Sequence, residues 1–295
     1  MKDAIFKGSA VALATPFTET GINYGELEKL IDFNINNGTD AIVVAGTSGE
    51  AATMTDDEHE EIIKFVVDYV HKRVPVIAGT GSNDTKYAIN LSQHADKQGV
   101  DGLLVVTPYY NKCTQKGLIK HFTDIADNVN VPIILYDVPS RTGVGIKPET
   151  YAVLAEHPRI TAVKEASGNI STVAEMMALC GDKLTLYSGN DDQIVPILSL
   201  GGQGVISVLS NVMPQETHDI CQLFMDGKTA EAAAKQLELF PLIKALFSEV
   251  NPIPVKTALR LMGYNMGELR MPLCDMEEAN LNKLKAALKQ FNLIK

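Results

Sequence analysis

The sequence predicts an α/β fold, a (β/α)8 barrel followed by a C-terminal helical region. Eight apolar, β-branched runs recur along the chain, and helical patterns separate them. No further strand pattern appears after Met213 and Pro214. Buried strands that alternate with helices form a parallel sheet, and eight such units are typical of a closed barrel. A doubly wound sheet is the rival architecture, but no GxGxxG opens the first turn between strand and helix.

The predicted strands are continuously apolar, as expected for a parallel sheet that is covered on both faces. The stretch SAVALA, residues 9–14, is apolar like a signal peptide, but it is short and Thr15 and Pro16 interrupt it. We therefore predict a strand there. In chain order the runs are SAVALAT, AIVVAG, VPVIAG, GLLVVT, VPIILY, ITAVK, LTLYSG and GVISV, and they end near Thr15, Ala45, Gly79, Val106, Tyr136, Lys164, Ser188 and Ser207.

The helical patterns between the strands carry recognisable start and stop signals. The pattern at 23–38 ends on Gly38, and the pattern at 83–99 also ends on a glycine. The pattern at 55–72 begins with Thr55 and a run of acidic residues, which suit a helix N-terminus. These signals predict one helix after each of the early strands.

The C-terminal part of the chain is predicted to be helical throughout, from residue 215 to residue 295. The proline-rich stretch NPIPVK, 251–256, is predicted to be a connector within it. We therefore expect two regions, a catalytic barrel over 1–224 and a helical region over 225–295 that packs on the barrel.

The composition excludes several function classes. The chain has 295 residues with 45% hydrophobic and 21% charged residues, which is ordinary for a folded domain. A formal net charge of −10 argues against a broad nucleic-acid surface. No apolar run approaches the roughly 18 residues that a membrane helix needs. Four scattered cysteines without CxxC pairs suit a reducing compartment, so we expect a cytoplasmic protein.

Lys164 is an unusual residue at the end of an apolar strand. In a (β/α)8 barrel the C-terminal ends of the strands form the active face. Desolvation of an amine disfavours its charged form, and a neutral amine can attack a ketone to form a Schiff base. The alternative is a lysine whose amine reaches water or pairs with the neighbouring Glu165.

Two other predicted strand ends, near Ala45 and near Tyr136, are followed by polar groups. In GTSGE, 46–50, backbone N–H groups and the hydroxyls of Thr47 and Ser48 suit a carboxylate or a phosphate, although a plain turn is also compatible with the pattern. Tyr136 can relay protons or can be a core tyrosine with a satisfied hydroxyl. Arg141 can clamp a carboxylate or can be a solvated surface residue.

Tyr109 and Tyr110 follow Pro108 in a predicted loop. An exposed aromatic pair often marks a partner surface, and packing within the loop is the alternative. Metal chemistry is disfavoured, because no histidine lies at a predicted strand end and neither HxH nor HExxH occurs. We expect no metal.

Nine motifs, spread over nearly the whole chain, carry a family resemblance. They are ALATPF (12–17), GTSGEAATM (46–54), VIAGTGSN (76–83), TPYYNK (107–112), YDVPSRTG (136–143), VKEASG (163–168), SGNDD (188–192), GVISV (204–208) and NPIPVK (251–256). Together they resemble the dihydrodipicolinate synthase family, within the pyruvate-dependent class I aldolases that include N-acetylneuraminate lyase. SRTG and NPIPVK favour the synthase over the lyase.

The resemblance implies a lyase of lysine and diaminopimelate biosynthesis that joins pyruvate and aspartate semialdehyde. Lys164 would be the Schiff-base lysine. Tyr136, Thr47 and Tyr110 would form a proton relay, with Tyr110 supplied by a neighbouring subunit. Arg141 would clamp the carboxylate of the second substrate. The resemblance also implies a homotetramer built from tight dimers.

The remaining implied roles concern pyruvate and feedback inhibition. Thr47 and Ser48 would hold the pyruvate carboxylate, and Gly189 and Ile206 would supply backbone contacts near pyruvate. Ser48 stands where many relatives carry threonine, and a hydroxyl remains. No cofactor is required, because the lysine itself is the electron sink.

In inhibited relatives a lysine effector pocket lies at the subunit interface. Tyr87 occupies the position where an acidic side chain is expected, and a phenol cannot supply a full counter-charge to an ammonium group. Lys86 adds a repelling charge, so we expect weak or absent inhibition by lysine. The matching positions are Ala51, Asp56, His59, Asn83, Tyr87 and Tyr109.

Two alternatives stay open at this level. One is a sister aldolase, such as N-acetylneuraminate lyase or a keto-sugar-acid aldolase, which would share Lys164 and Tyr136 but not the role of Arg141. The other is a non-catalytic barrel that binds keto acids as a sensor. Retention of Lys164, Tyr136, Thr47 and Tyr110 together argues against the sensor.

Overall fold

The computed structural model of the protein describes residues 3–295. Eight parallel strands close into a barrel, as the sequence predicts, and the first barrel strand pairs with both the second and the last. The barrel strands are β1 (Gly8–Ala12), β4 (Ala41–Val44), β5 (Val76–Gly79), β6 (Gly102–Val106), β7 (Ile133–Asp137), β8 (Ile160–Glu165), β9 (Thr185–Ser188) and β10 (Gly204–Ser207), and the short antiparallel pair β2 (Phe17–Thr18) and β3 (Gly21–Ile22) follows β1.

Helices follow the strands and continue past the barrel. They are α1 (Tyr24–Asn36), α2 (Asp56–Val70), α3 (Thr85–Gln98), α4 (Gln115–Ala126), α5 (Pro139–Thr142), α6 (Pro148–Leu154), α7 (Ile170–Cys180), α8 (Ile194–Ser199), α9 (Pro214–Met225), α10 (Thr229–Leu246), α11 (Ile253–Leu261) and α12 (Glu278–Gln290). The helices predicted at 23–38, 55–72 and 83–99 are confirmed as α1, α2 and α3.

The start of α2 shows how local sequence fixes an element. Thr55 accepts a hydrogen bond from the N–H of Glu58, and the Glu58 carboxylate accepts one from the N–H of Thr55. This capping box satisfies backbone donors that the first turn of a helix leaves without partners. Acidic residues in that turn also oppose the positive end of the helix dipole.

The barrel separates two apolar layers. The interior contains small and branched side chains from alternate strand positions, together with Tyr136, Tyr187 and Ile206. A larger layer lies between the strands and the surrounding helices. Because side chains alternate along a strand, Lys164 lies on the same face of β8 as the interior residues Ala162 and Ala166.

The first strand is shorter than predicted, since β1 ends at Ala12 and not near Thr15. The N–H of Leu13 still donates to the carbonyl of Val43, but the N–H of Ala14 donates to the side chain of Asn211. A side chain from the segment after β10 therefore replaces the strand ladder at this position.

The prediction that NPIPVK is a connector is wrong, because α11 begins at Ile253. Pro252 and Pro254 stand at the start of that helix, where a missing N–H removes no intrahelical hydrogen bond. The C-terminal part is also not helical throughout, since residues 262–277 contain no helix. The predicted boundary between residues 224 and 225 falls at the end of α9 and stays a prediction.

Candidate active site

Lys164 and Tyr136 lie side by side in the interior of the barrel. Their Cα atoms are partners in the register between β7 and β8, and Nζ of Lys164 lies 4.3 Å from the centroid of the Tyr136 ring. Both side chains are almost fully buried, with 5% of Lys164 and 7% of Tyr136 exposed. The amine is therefore removed from bulk water beside an aromatic face, as a Schiff-base lysine requires.

Glu165, the alternative partner of Lys164, lies on the opposite face of β8. Its Oε1 accepts a hydrogen bond from the N–H of Ser167 at 2.9 Å. Burial raises the pKa of its carboxyl. Lys164 forms no ion pair within 4.0 Å with a carboxylate of residues 3–295, and the buried carboxylate of Asp191 interacts with its charge over a longer distance. Glu165 is therefore not its partner.

Gly189 leaves room for Lys164. A Cβ atom at Gly189 would come within 3.1 Å of Cγ of Lys164 and within 2.8 Å of the Cβ of Ala166. The N–H of Gly189 donates to the carbonyl of Glu165 at 2.6 Å, which fixes this close approach. Ile206 belongs to the same interior cluster as Tyr136.

The GTSGE turn follows β4 at the same end of the barrel. Ser48 is buried and Thr47 is half-buried, so two hydroxyls stand at the edge of the interior. Glu50 closes the turn in a left-handed conformation, with φ of 57°. Its Oε1 accepts a hydrogen bond from Nζ of Lys256 at 2.6 Å. The turn is thus fixed by a buried ion pair with α11.

Asn251 connects two predicted substrate-binding residues. Its Nδ2 donates to Oγ of Ser48 at 3.0 Å, and its backbone carbonyl accepts a hydrogen bond from Nη2 of Arg141 at 3.1 Å. Arg141 itself is exposed on the one-turn helix α5. Sequence reasoning missed Asn251 and Lys256. The signal for Lys256 was a lysine within the otherwise apolar pattern at the start of α11.

Asp137 anchors the segment that carries Arg141. Its Oδ2 accepts hydrogen bonds from the N–H of Ile146 at 3.0 Å and from the hydroxyl of Tyr151 at 3.1 Å. Burial raises the pKa of Asp137 to about 7. Asp137 and Glu165 are partners in the register between β7 and β8, directly after Tyr136 and Lys164. Sequence reasoning missed this buried acid.

The structure does not bury Tyr110 among the other site residues, because 89% of its side chain is exposed. It also adopts a positive φ of 73°, so the backbone holds it in an uncommon conformation. The preceding carbonyl, that of Tyr109, accepts a hydrogen bond from Nδ2 of Asn83 at 3.1 Å. An exposed aromatic side chain at a fixed loop is typical of a partner surface.

Most of the predicted effector positions lie close together. The hydroxyl of Tyr87 donates to the carboxylate of Asp56, and this hydrogen bond raises the pKa of Tyr87 to about 12. Nε2 of His59 lies 2.8 Å from the carbonyl of Gly79. Ala51 begins a short 3₁₀ turn before α2 and packs against the outer core. The cluster therefore contains a carboxylate, that of Asp56, and the phenol of Tyr87 is already hydrogen-bonded to it.

Across residues 3–295, no group of three or more histidine, cysteine, aspartate or glutamate side chains is arranged to hold a metal ion. No helix in that range is both long enough and apolar enough to span a bilayer.

Comparisons with known proteins agree over the full length of the chain. The model of the family described as Dihydrodipicolinate synthetase family matches residues 5–291. The 4-hydroxy-tetrahydrodipicolinate synthase 1 of Clostridium acetobutylicum is 59% identical over 292 residues, which cover 99% of this chain and 100% of that protein.

Solved structures show the same architecture. The dihydrodipicolinate synthase from Aquifex aeolicus superimposes with a TM-score of 0.96 at 46% identity, covering 98% of this chain and 99% of that chain. The chloride-inhibited dihydrodipicolinate synthase from Acinetobacter baumannii, solved in complex with pyruvate, superimposes with a TM-score of 0.95 at 40% identity and covers 98% and 99% of the two chains.

Proposed function

The chain belongs to the dihydrodipicolinate synthetase family, and we propose that its reaction proceeds through a Schiff base on Lys164. It has 4-hydroxy-tetrahydrodipicolinate synthase activity, a lyase activity of lysine biosynthesis. The observation that carries the role of Lys164 is its amine, which is buried 4.3 Å from the Tyr136 ring centroid and forms no ion pair within residues 3–295. Pyruvate is the proposed first substrate, since a related structure holds it.

The first half of the proposed reaction activates pyruvate. The neutral amine of Lys164 attacks the ketone carbon, and loss of water leaves an imine. Removal of a proton from the methyl group then gives an enamine, with the electrons drawn toward the imine nitrogen. The phenol ring of Tyr136 lies beside this amine, and we assign Tyr136 to proton transfer in these steps.

The second half consumes the enamine. Its terminal carbon attacks the aldehyde of aspartate semialdehyde, and the aldehyde oxygen takes up a proton to become the 4-hydroxyl. The amine of the same substrate then attacks the imine carbon, closes the ring and releases Lys164. No electron is gained or lost over the sequence, so the residues need only move protons.

Substrate binding is assigned to the edge of the interior. Thr47 and Ser48 would hold the pyruvate carboxylate, with Gly189 and Ile206 beside pyruvate. Arg141 would clamp the carboxylate of aspartate semialdehyde, because a guanidinium fork matches a carboxylate in two parallel hydrogen bonds. The exposed position of Arg141 and its hydrogen bond to Asn251 support this role.

Tyr110 is proposed to complete a proton relay with Tyr136 and Thr47 from a neighbouring subunit. Its large exposed surface supports a role outside its own chain. The proposed assembly is a homotetramer formed by two tight dimers. We place the enzyme in the cytoplasm, where its unpaired cysteines would stay reduced.

Borohydride trapping tests the role of Lys164. Reduction of the imine in the presence of pyruvate is expected to add a three-carbon unit, and peptide mapping is expected to place it on Lys164. K164M removes the amine at similar length, so the adduct should disappear while the melting curve stays close to that of the parent. An adduct on another lysine, or full turnover by K164M, would refute the assignment.

A further inference from the structure

We infer that Asn251 is a positioning residue for the keto-acid substrate and that its side-chain amide sets the direction of the Ser48 hydrogen bond. This inference rests on the proposed role of Ser48 in holding the pyruvate carboxylate. Asn251 is separated from Ser48 by 203 positions in the chain, yet its Nδ2 lies 3.0 Å from Oγ of Ser48. Only 6% of Asn251 is exposed, so the hydrogen bond is shielded from water.

The amide nitrogen of Asn251 faces Ser48, and this placement sets the direction of the bond. An amide nitrogen can only donate, whereas a serine hydroxyl can donate one hydrogen and accept with its lone pairs. Ser48 therefore accepts from Asn251, and its own hydrogen is left to donate elsewhere. A carboxylate can only accept. Asn251 thus leaves Ser48 as a donor, the role that an anionic keto acid requires.

The surrounding contacts fix the position of Asn251. Lys256 lies on α11, four positions after Pro252. It pairs with Glu50, and both side chains are at most 1% exposed. Glu50 lies two positions after Ser48 in the same turn. The C-terminal region and the GTSGE turn are therefore joined by two buried contacts, and the hydrogen bond to Ser48 has little freedom to move.

A further buried atom indicates that Asn251 does not serve stability alone. Its Oδ1 has no hydrogen-bond partner among the described residues. A buried acceptor without a partner is destabilising, so a residue present only to stabilise this contact would carry a needless penalty. A role in orienting Ser48 gives a reason for the amide.

Asn251 contacts Arg141 through a different atom. Arg141 donates to the backbone carbonyl of Asn251, which every side-chain substitution leaves in place. Replacing the side chain should therefore change pyruvate binding and leave the site for aspartate semialdehyde nearly intact. A change in pyruvate binding alone would indicate that Asn251 orients Ser48. Weaker binding of both substrates would indicate a general disruption of the active site.

The decisive variant is N251D, which keeps the shape and replaces the donor by an acceptor. The Ser48 hydroxyl would then donate to the new carboxylate and turn its lone pairs toward pyruvate. We expect the pyruvate concentration for half-maximal borohydride trapping to rise at least about tenfold, since loss of one hydrogen bond to a charged group is worth 1.5 kcal/mol or more. Half-saturation at the parent concentration would overturn the inference, because Ser48 would then be the donor to Asn251.

N251A provides a second test that needs no buried charge. In the parent background it should raise the half-saturating pyruvate concentration about threefold, with the KM for aspartate semialdehyde changed less than about twofold. In the S48A background the same substitution should have no further effect on pyruvate trapping, because the hydroxyl that it orients is gone. Equal effects in both backgrounds, or equal rises in both KM values, would overturn the inference even if N251D fails to fold.

The parent protein separates this inference from the proposed function. If the parent itself gives no adduct with pyruvate and borohydride, the Schiff-base assignment fails and Asn251 has no keto acid to position. If the parent gives the adduct while N251A and N251D saturate like the parent, the assignment stands and the role of Asn251 is refuted.

Discussion

Lys256 and Glu50, separated by 206 positions in the chain, form an ion pair of 2.6 Å in which both side chains are at most 1% exposed. Nζ of Lys256 also lies 4.5 Å from the ring centroid of Phe17, and it donates to the carbonyl of Glu268 at 3.2 Å. Burial lowers the pKa of Lys256, while the Glu50 carboxylate opposes that shift. The pair is thus a structural link between the C-terminal region and the turn that carries Thr47 and Ser48.

Removal of Lys256 should destabilise the protein strongly. K256M leaves the Glu50 carboxylate buried without its counter-charge, and breaking one partner of a buried pair costs about 3–5 kcal/mol. The free energy of unfolding in urea measures this loss. K64M, which breaks the exposed pair of Lys64 and Asp68, is the control and should cost less than about 1 kcal/mol. Similar losses of unfolding free energy for K256M and K64M would contradict a buried link. The E50Q/K256M double variant should be less destabilised than K256M, because it leaves no unpaired buried charge.

The phenol of Tyr136 should matter for turnover more than for folding. Y136F keeps the ring beside Lys164 and removes the proton-transfer group, so we expect kcat to fall by about a hundredfold. Initial rates under saturation with both substrates measure the effect. Y187F is a matched control, because Tyr187 is also an interior tyrosine and its hydroxyl donates to the carbonyl of Phe6 at 2.7 Å. An equal loss of kcat in Y187F would show that any interior hydroxyl produces it.

Tyr110 should act on the site of a neighbouring subunit. K164M and Y110F are each expected to be nearly inactive as pure assemblies. In a mixed dimer, one site combines the intact Lys164 of one subunit with the intact Tyr110 of the other, so activity should reappear after subunit exchange. Random pairing of equal amounts predicts about a quarter of the parent activity, since half of the dimers are mixed and each has one complete site. Activity that stays at the sum of the two pure variants would place Tyr110 in its own chain's site or outside catalysis.

The raised pKa of Asp137 predicts a pH dependence of stability. Its pKa is about 7 in the folded protein and near the ordinary aspartate value of 3.8 when the chain is unfolded. Between these values the folded state binds more protons, so the contribution of Asp137 to stability falls as pH rises from about 4 to about 7 and then levels off. D137N keeps an acceptor for Ile146 and Tyr151 without the charge.

Urea unfolding of the parent and D137N at pH 4.5 and pH 8 tests this sign. The stability of D137N relative to the parent should increase between pH 4.5 and pH 8 by about 3 kcal/mol, since one pKa unit is worth 1.36 kcal/mol. The neighbouring Glu165, whose pKa burial also raises, adds to the slope of both proteins. Its charge also raises the pKa of Asp137, so the difference between the two proteins includes this coupling. A stability difference that does not change with pH would refute the titration of Asp137 in this range.

Lysine should inhibit the enzyme weakly or not at all. Within the predicted effector cluster, the Asp56 carboxylate accepts a hydrogen bond from the Tyr87 phenol, and this bond raises the pKa of Tyr87 to about 12. An incoming ammonium group would have to displace that donor. Initial rates at increasing lysine concentration measure inhibition, and half-inhibition below millimolar lysine would contradict the prediction. Y87F frees Asp56, and its half-inhibiting concentration should therefore be several-fold lower than that of the parent.

The sequence determined the architecture and the reactive lysine. Continuous apolar runs separated by capped helices specified eight buried parallel strands, because periodicity and caps are local properties that the order of residues already contains. The end of the run ITAVK placed Lys164 at the active end of a barrel strand. The prediction failed at NPIPVK, where two prolines suggested a connector although a helix begins there. Proline is compatible both with a connector and with the first turn of a helix, and only the packing of the folded chain decides between the two.

The tertiary structure alone decided which distant residues share the site. Asn251 meets Ser48 and Arg141, and Lys256 meets Glu50, through contacts that span more than a hundred positions each. Asp137 is a buried acid that accepts a hydrogen bond from Tyr151 of α6, and this burial raises its pKa. Such pairs depend on how helices pack across strands in three dimensions. A local sequence pattern does not predict that packing. Lys164 could therefore be predicted from the sequence, whereas the residues that support the site could not.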